Sequence, residues 1–233
     1  PSRTKDPDRV DFSTGSVGLG AVAPLYAALA DRYLRAHFSD RAGSWPVRRF
    51  VSLVGDAELD EGSLWESVLE GALEGLGNFT MVIDLNRQSL DRVIPDIAAT
   101  RLKSFFADAG WHVAEAKYGQ RLAAVFSDAD GDAVEAHIDS MPNEAYQELF
   151  GLAPTDVRRK FLARADPAVV RFADRFDDEE LKSLITDLGG HDLTLLADTF
   201  QSCDAEVDRP SVVFAYTIKG HALPMAGDPM NHA

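Results

Sequence analysis

Two oxygen-bearing side chains, the carboxylate of Asp56 and the amide of Asn86, stand thirty positions apart (86 − 56), each just past the end of an apolar run. Phe50–Val54 is rich in Val and Phe and reads as a buried strand that stops at Gly55. Phe79–Ile83 reads as a second strand, running out into Asp84-Leu85-Asn86-Arg87-Gln88. A carboxylate, an amide oxygen and a main-chain carbonyl from the irregular backbone after Asn86 form a hard, all-oxygen set. Such a set suits Mg2+ and leaves positions for phosphate oxygens and water. A magnesium-diphosphate site is the chemistry this pattern can do. An EF-hand needs Gly sixth and Glu twelfth from its first Asp, whereas Glu61 and Ser67 fall there when counting from Asp56. Asp60 and Glu61 are accounted for by the helix dipole at an N-terminus. That account does not extend to Asp56, which lies at the strand end.

The elements that must hold these groups follow from periodicity. Leu64, Val68, Leu69, Ala72 and Leu73 recur at helical spacing over 63–73, before Gly75 and Gly77. Strand, helix, strand is a unit that normally makes parallel sheet through a right-handed crossover. Parallel sheets of this kind bind ligands outside their carboxyl ends, where Asp56 and Asn86 stand. Further strands are expected at 111–116 and 211–218, with a helix over 98–109 and another over 192–203. The expected class is α/β, a doubly wound, mainly parallel sheet with helices on both faces. His112 on the third strand reads as a half-exposed surface histidine.

Gly15, Gly18 and Gly20 open a helix over 21–30, with Pro24 tolerated in its first turn. A Gly-rich loop entering a helix offers free N–H groups to an anion; it serves equally to pack a helix closely on a sheet. Residues 1–11 read as an arm, 120–187 as a helical excursion and 221–233 as a loop. Gly189-Gly190-His191-Asp192 interrupts two helices, and can act as a hinge that swings an imidazole or as a glycine C-cap with a surface histidine.

With 233 residues, 45% hydrophobic, the chain can build one large α/β core. Its net charge of −15 argues against nucleic acid as a partner. No apolar run approaches the ~18 residues of a membrane helix, and Pro1–Asp6 lacks a signal peptide's apolar core. Cys203 is the one cysteine, which fits a reducing, cytoplasmic location.

The pattern Gly-Asp-x-Glu followed by Asn resembles the thiamine diphosphate signature of the transketolase and 2-oxoacid dehydrogenase enzymes. Gly55-Asp56-Ala57-Glu58-Leu59-Asp60-Glu61 most resembles the Gly-Asp-Gly-Glu-x-Asp-Glu run of homodimeric-type pyruvate dehydrogenase E1. Phe12–Gly20 is similar to that family's Gly-rich cofactor entry, Leu188–Asp192 to its mobile active-site loop, and Thr217–Gly220 to its late strand end. Ala57 stands where the family has a second Gly, and Asp84 where it usually has Asn. An Ala there is mild at negative φ and costly at positive φ.

The resemblance implies the diphosphate-binding domain of the thiamine diphosphate-binding fold, spanning 1–233. Mg2+ would be held by Asp56, Asn86 and the Gln88 carbonyl, and the cofactor lined by Gly15, Ser16, Val17, Gly55, Ala57, Glu58 and Asn86. His191 and His232 are the implied catalytic residues. The pyrimidine-binding domain would be absent from this chain and supplied by a partner domain or subunit in a homo- or hetero-oligomer. The reaction implied is decarboxylation of a 2-oxo acid, pyruvate first, with acyl transfer to a lipoyl carrier, the acyltransferase component. The chain by itself is then expected to be inactive. A transketolase subunit, or a non-catalytic module that retains the fold, are the alternatives.

Overall fold

A computed structural model describes residues 5, 11–12, 14, 16–86, 88–89, 92–93 and 99–227. Most of the arm expected over 1–11, and 228–233 of the final loop, lie outside them. The described elements begin with α1 (Leu19–His37), α2 (Ser39–Ala42), β1 (Phe50–Gly55), α3 (Gly62–Val68) and β2 (Phe79–Leu85). Next come β3 (Gln88–Ser89), β4 (Arg92–Val93), α4 (Ala99–Asp108) and β5 (His112–Ala116). The helical stretch holds α5 (Gln120–Val125), α6 (Gly131–Ser140), α7 (Asn143–Gly151), α8 (Pro154–Phe161), α9 (Pro167–Ala173) and α10 (Asp178–Ile185). The last two are α11 (Leu193–Ala205) and β6 (Ser211–Tyr216). Among the described residues no helix is long and apolar enough to cross a membrane.

The chain forms two compact units, Pro1–Asp84 with Ala99–Glu115 and Thr199–Phe214, and Leu85–Ala98 with Ala116–Asp198 and Ala215–Ala233. The first holds a parallel four-stranded sheet in the order β1-β2-β6-β5, the α/β class expected. Every residue of β6 is buried, as are Phe79, Met81, Val82, Ile83 and Leu85 of β2. Phe79 and Phe106 each meet the Trp111 ring edge-on at 5.8 and 5.3 Å, and Phe106 meets Phe214 at 5.9 Å. These aromatic contacts form the centre of this unit's core.

Three expectations change in this unit. β1 is an edge strand rather than a buried one: Ser52 and Val54 face inward while Val51 and Leu53 are 53% and 73% exposed. An apolar run does not report how many of its faces are covered. The helix expected over 63–73 stops at Val68. Glu70 leaves helical geometry and accepts the Ala72 N–H at 3.0 Å, opening a separate 3-10 turn at Gly71–Leu73. A side chain that bonds the local backbone competes with helix continuation, and Gly71 adds little in favour of it. The freed Val68 carbonyl accepts the Trp111 Nε1–H at 3.1 Å.

Pro24 supplies the third change. α1 starts at Leu19, so Pro24 is its sixth residue and lies beyond the first turn. A proline there has no N–H for the carbonyl four residues back, Gly20. The buried Ser52 hydroxyl of β1 replaces it, donating to the Ala21 carbonyl at 2.9 Å and the Gly20 carbonyl at 3.3 Å. A polar residue inside the apolar run of β1 thus repairs the helix packed on it.

The second unit includes the stretch expected as a helical excursion, whose helices pack around Leu122, Val134, Leu149, Val157, Phe161, Phe172 and Ile185. Two of its described helices, α9 and α10, start on carboxylate caps. Asp166 accepts the Ala168 N–H at 2.8 Å, and Asp177 and Glu180 form a reciprocal capping box, at the helix start expected from the acids at 177–180. Arg158 ties α8 to the following helices through Asp178 and the Ala173 and Phe176 carbonyls.

Candidate functional site

The candidate ligands begin from one strand pair. Gly55 and Asp84 are register partners at the ends of β1 and β2, so Asp56 is one residue past that level and Asn86 two. Asp56 opens a 3-10 turn over Asp56–Asp60 and is buried, 8% exposed. Glu58, from the third position of the turn, carries its carboxylate back to accept the Gly55 N–H at 3.0 Å. The Leu59 carbonyl accepts the Trp65 Nε1–H at 2.7 Å, fixing the turn's far end. Asp60 is exposed, and Glu61 stands at the N-cap of α3 without a side-chain cap bond.

Ala57 lies inside this turn at negative φ: among the described residues only Asp130, Arg164 and Ala222 of the non-glycines have positive φ. Its methyl therefore costs no backbone strain. Gly55 is extended, at φ −72°, and a Cβ there would come no nearer than 3.9 Å to the Glu58 carboxylate. The glycine that needs its identity is Gly18, at φ +83°, where a Cβ would lie 3.1 Å from Glu61. It precedes α1 directly. Ser16 is exposed, and its N–H donates to Thr14 Oγ1 at 3.1 Å; Val17 is 61% exposed. Gly15 lies outside the described residues.

Asn86 and Gln88 belong to the second unit. Asn86 is half-buried, and its main-chain carbonyl accepts from Gln147 Nε2. Within the stretch beyond it expected to be irregular, Gln88–Ser89 pairs antiparallel with Arg92–Val93, Gln88 opposite Val93; the rest of that stretch lies outside the described residues. Asn86, Gln147, Thr217, Ile218 and Lys219 line a recess of about 10 Å3, close to the ~10–15 Å3 one water needs. Among the described residues no group of three or more His, Cys, Asp and Glu side chains is placed to hold a metal. One carboxylate, one amide and a main-chain carbonyl are a different donor set, and a hard one.

His191 also belongs to the second unit. It ends the 3-10 turn Gly189–His191, and its Nε2 accepts the Ile218 N–H at 2.8 Å, which leaves the proton of the neutral ring on Nδ1. The His221 ring stacks on it at 3.7 Å and 13°. Neither glycine of the turn has positive φ. A Cβ on Gly189 would come within 2.5 Å of the Ala116 carbonyl carbon, and one on Gly190 within 2.4 Å of the Tyr216 oxygen. Close approach is their reason. Asp192 accepts N–H groups of Gln120 at 2.8 Å, Thr194 at 3.0 Å and Leu195 at 3.1 Å. The Gln120 N–H first, then that of Leu195, holds its carboxyl below the ordinary value. His232 lies outside the described residues. Sequence reading missed Gln147, 61 positions from Asn86, for which no local signal exists, and the stacking role of His221, whose signal was its place just after a strand end.

The sequence profile described as "Transketolase, thiamine diphosphate binding domain" matches residues 2–137. The chain is 32% identical over 216 residues to the pyruvate dehydrogenase E1 component of Corynebacterium glutamicum, covering 91% of this chain and 23% of that protein. It is 32% identical over 220 residues to the one from Mycobacterium tuberculosis, covering 93% and 23%. The chain therefore spans about a quarter of the length of these relatives. Among solved structures it superposes on a Pichia stipitis transketolase with a TM-score of 0.55 at 16% identity, covering 97% of this chain and 23% of that one. For a Leishmania mexicana transketolase the TM-score is 0.53 at 17% identity, covering 96% and 23%.

Proposed function

The chain belongs to the family of transketolase thiamine diphosphate-binding domains, and we propose that it is the diphosphate- and Mg2+-binding part of a pyruvate dehydrogenase E1-type enzyme. The observation that carries this reading is the 32% identity to a pyruvate dehydrogenase E1 component over 91% of the chain. The likeness to transketolases, at 16% identity, speaks for the fold.

The residues fit the cofactor. The buried Asp56 carboxylate, the Asn86 amide oxygen and the Gln88 carbonyl would ligate Mg2+. Gly15, Ser16, Val17, Gly55, Ala57 and Glu58, with Asn86, would line the diphosphate. Ala57 at negative φ keeps the turn unstrained, which supports the cofactor-binding reading over a non-catalytic module. Thiamine diphosphate supplies the carbanion chemistry when bound. The chain's own part is to anchor, orient and exclude water. His191 holds its proton at Nδ1 while the Ile218 N–H engages Nε2; it and His232 would be the side chains that meet the substrate. A pyrimidine-binding domain or subunit completes the site within a homo- or hetero-oligomer, and a lipoyl carrier takes the acyl group in the cytoplasm.

The test mixes the chain with a separately expressed candidate pyrimidine-binding subunit, thiamine diphosphate and Mg2+, and follows reduction of an artificial electron acceptor by pyruvate. Turnover is expected in the mixture and absent from either component. Turnover by the chain alone overturns the partner requirement. Ketose phosphate as the sole productive donor moves the reading to transketolase.

A further inference from the structure

The first unit contains a second feature at the opposite ends of β1 and β2. Where those strands begin lies a cavity of about 490 Å3, within the ~300–1,000 Å3 typical of small-molecule sites. Its wall carries four arginines, Arg32, Arg35, Arg48 and Arg49, against two aspartates, Asp31 and Asp204. In a chain of net charge −15 this excess of positive groups is a local reversal of sign, and an excess of one sign in a concave wall focuses the field on an incoming ion of the other.

The guanidinium groups are held in place. Asp31, only 5% exposed, takes Arg35 Nε at 2.7 Å and Arg48 Nη1 at 3.1 Å, so one buried carboxylate fixes two heads. Arg35 also donates to the Trp45 and Pro46 carbonyls, and Arg48 lies over the Trp45 ring at 4.7 Å. Arg32 donates to the Ala72 and Glu74 carbonyls, neutral partners that leave its charge in place. Arg49 pairs with Asp204 and is 57% exposed. Each guanidinium carries five N–H donors. Arg48 and Arg49 spend few of theirs, and Asn78 and Thr80 add polar groups to the same wall.

We propose that this cavity binds a small organic molecule bearing two or more phosphate groups. Pre-oriented arginine forks match phosphate oxygens two at a time, and the cavity has room for more than a bare ion. The proposal does not rest on the cofactor reading, which concerns the other strand ends.

The test titrates inorganic pyrophosphate and, in parallel, ADP into the chain by calorimetry in EDTA, so that no magnesium-dependent site contributes. One site per chain is expected. Arg49→Ala, at an exposed position, removes a charged hydrogen-bonding group and should weaken binding about tenfold or more. Val47→Glu, at a residue 90% exposed on the rim, should do the same by repulsion without touching an arginine or the fold. Asp56→Ala should leave binding unchanged. Binding of ADP together with pyrophosphate assigns a nucleotide-sized ligand, and binding of pyrophosphate alone assigns a smaller organic diphosphate. No binding of either at millimolar concentration overturns the proposal. So does equal binding in the parent and both cavity variants, an adventitious ion only. Loss in Asp56→Ala alone would return the anion to the Gly55 end of the strands.

Discussion

Two turns of similar composition, one in each unit, hold their shape for different reasons. Gly55-Asp56-Ala57-Glu58 is fixed by what its side chains do: Glu58 reaches back to the Gly55 N–H, and a Cβ at Gly55 would meet no wall. Gly189-Gly190-His191-Asp192 is fixed by what its glycines lack, since a methyl at either would enter backbone from Ala116 or Tyr216. The first turn has room for a change at Gly55 and depends on Glu58; the second depends on both glycines and uses its acid as a clamp. Family resemblance alone treats the glycines of both as equivalent.

The largest break in this comparison comes from Gly190→Ala. Overpacking against a backbone oxygen costs about 1–3 kcal/mol, to be measured as a fall in urea midpoint at unchanged slope. An unchanged midpoint would mean that Gly190 is free to move, as a hinge requires. Asp192→Ala should cost about 1 kcal/mol, as loss of an N-cap does. Because the Asp192 carboxyl titrates below its ordinary value, which is ~3.9, its contribution is complete above that pH. It is lost as pH falls through the lower folded value. The gap in melting temperature between parent and Asp192→Asn should therefore be full at pH 6 and close in acid below pH ~4. A constant gap would assign the effect to shape.

The smallest effect sharpens the comparison. Ala57→Gly restores the family's residue at a position of negative φ, so it should lower stability by ~0.4–1 kcal/mol through the unfolded state. It should leave cofactor affinity within about twofold. A large gain in affinity would show that the Ala57 methyl obstructs the diphosphate after all.

How much of this could be read from the chain follows the range of each signal. β2, β5 and β6, the start of α10 at its capping box and the level ends of β1 and β2 all rest on local patterns, and appear where periodicity puts them. Signals fail where a partner is distant in sequence. Ser52 repairs the Pro24 gap from 31 positions beyond Ala21, Gln147 reaches Asn86 across 61, and β6 separates β2 from β5 in the sheet. The break at Val68 was local yet hidden, because Leu69, Ala72 and Leu73 keep helical spacing across it while Glu70 caps a new turn. The position of Asp56 just past a strand end was legible, whereas the glycines of the second turn carry no mark that separates a hinge from close packing.

The measurement that tests the central claim most directly is calorimetric titration of thiamine diphosphate into the chain with Mg2+ or with EDTA, for the parent and Asp56→Ala, alone and with the candidate partner subunit. The account predicts binding that requires Mg2+ and is lost in Asp56→Ala while that variant stays folded. Binding that persists in EDTA or in Asp56→Ala, or no binding by the parent even with the partner present, would contradict it.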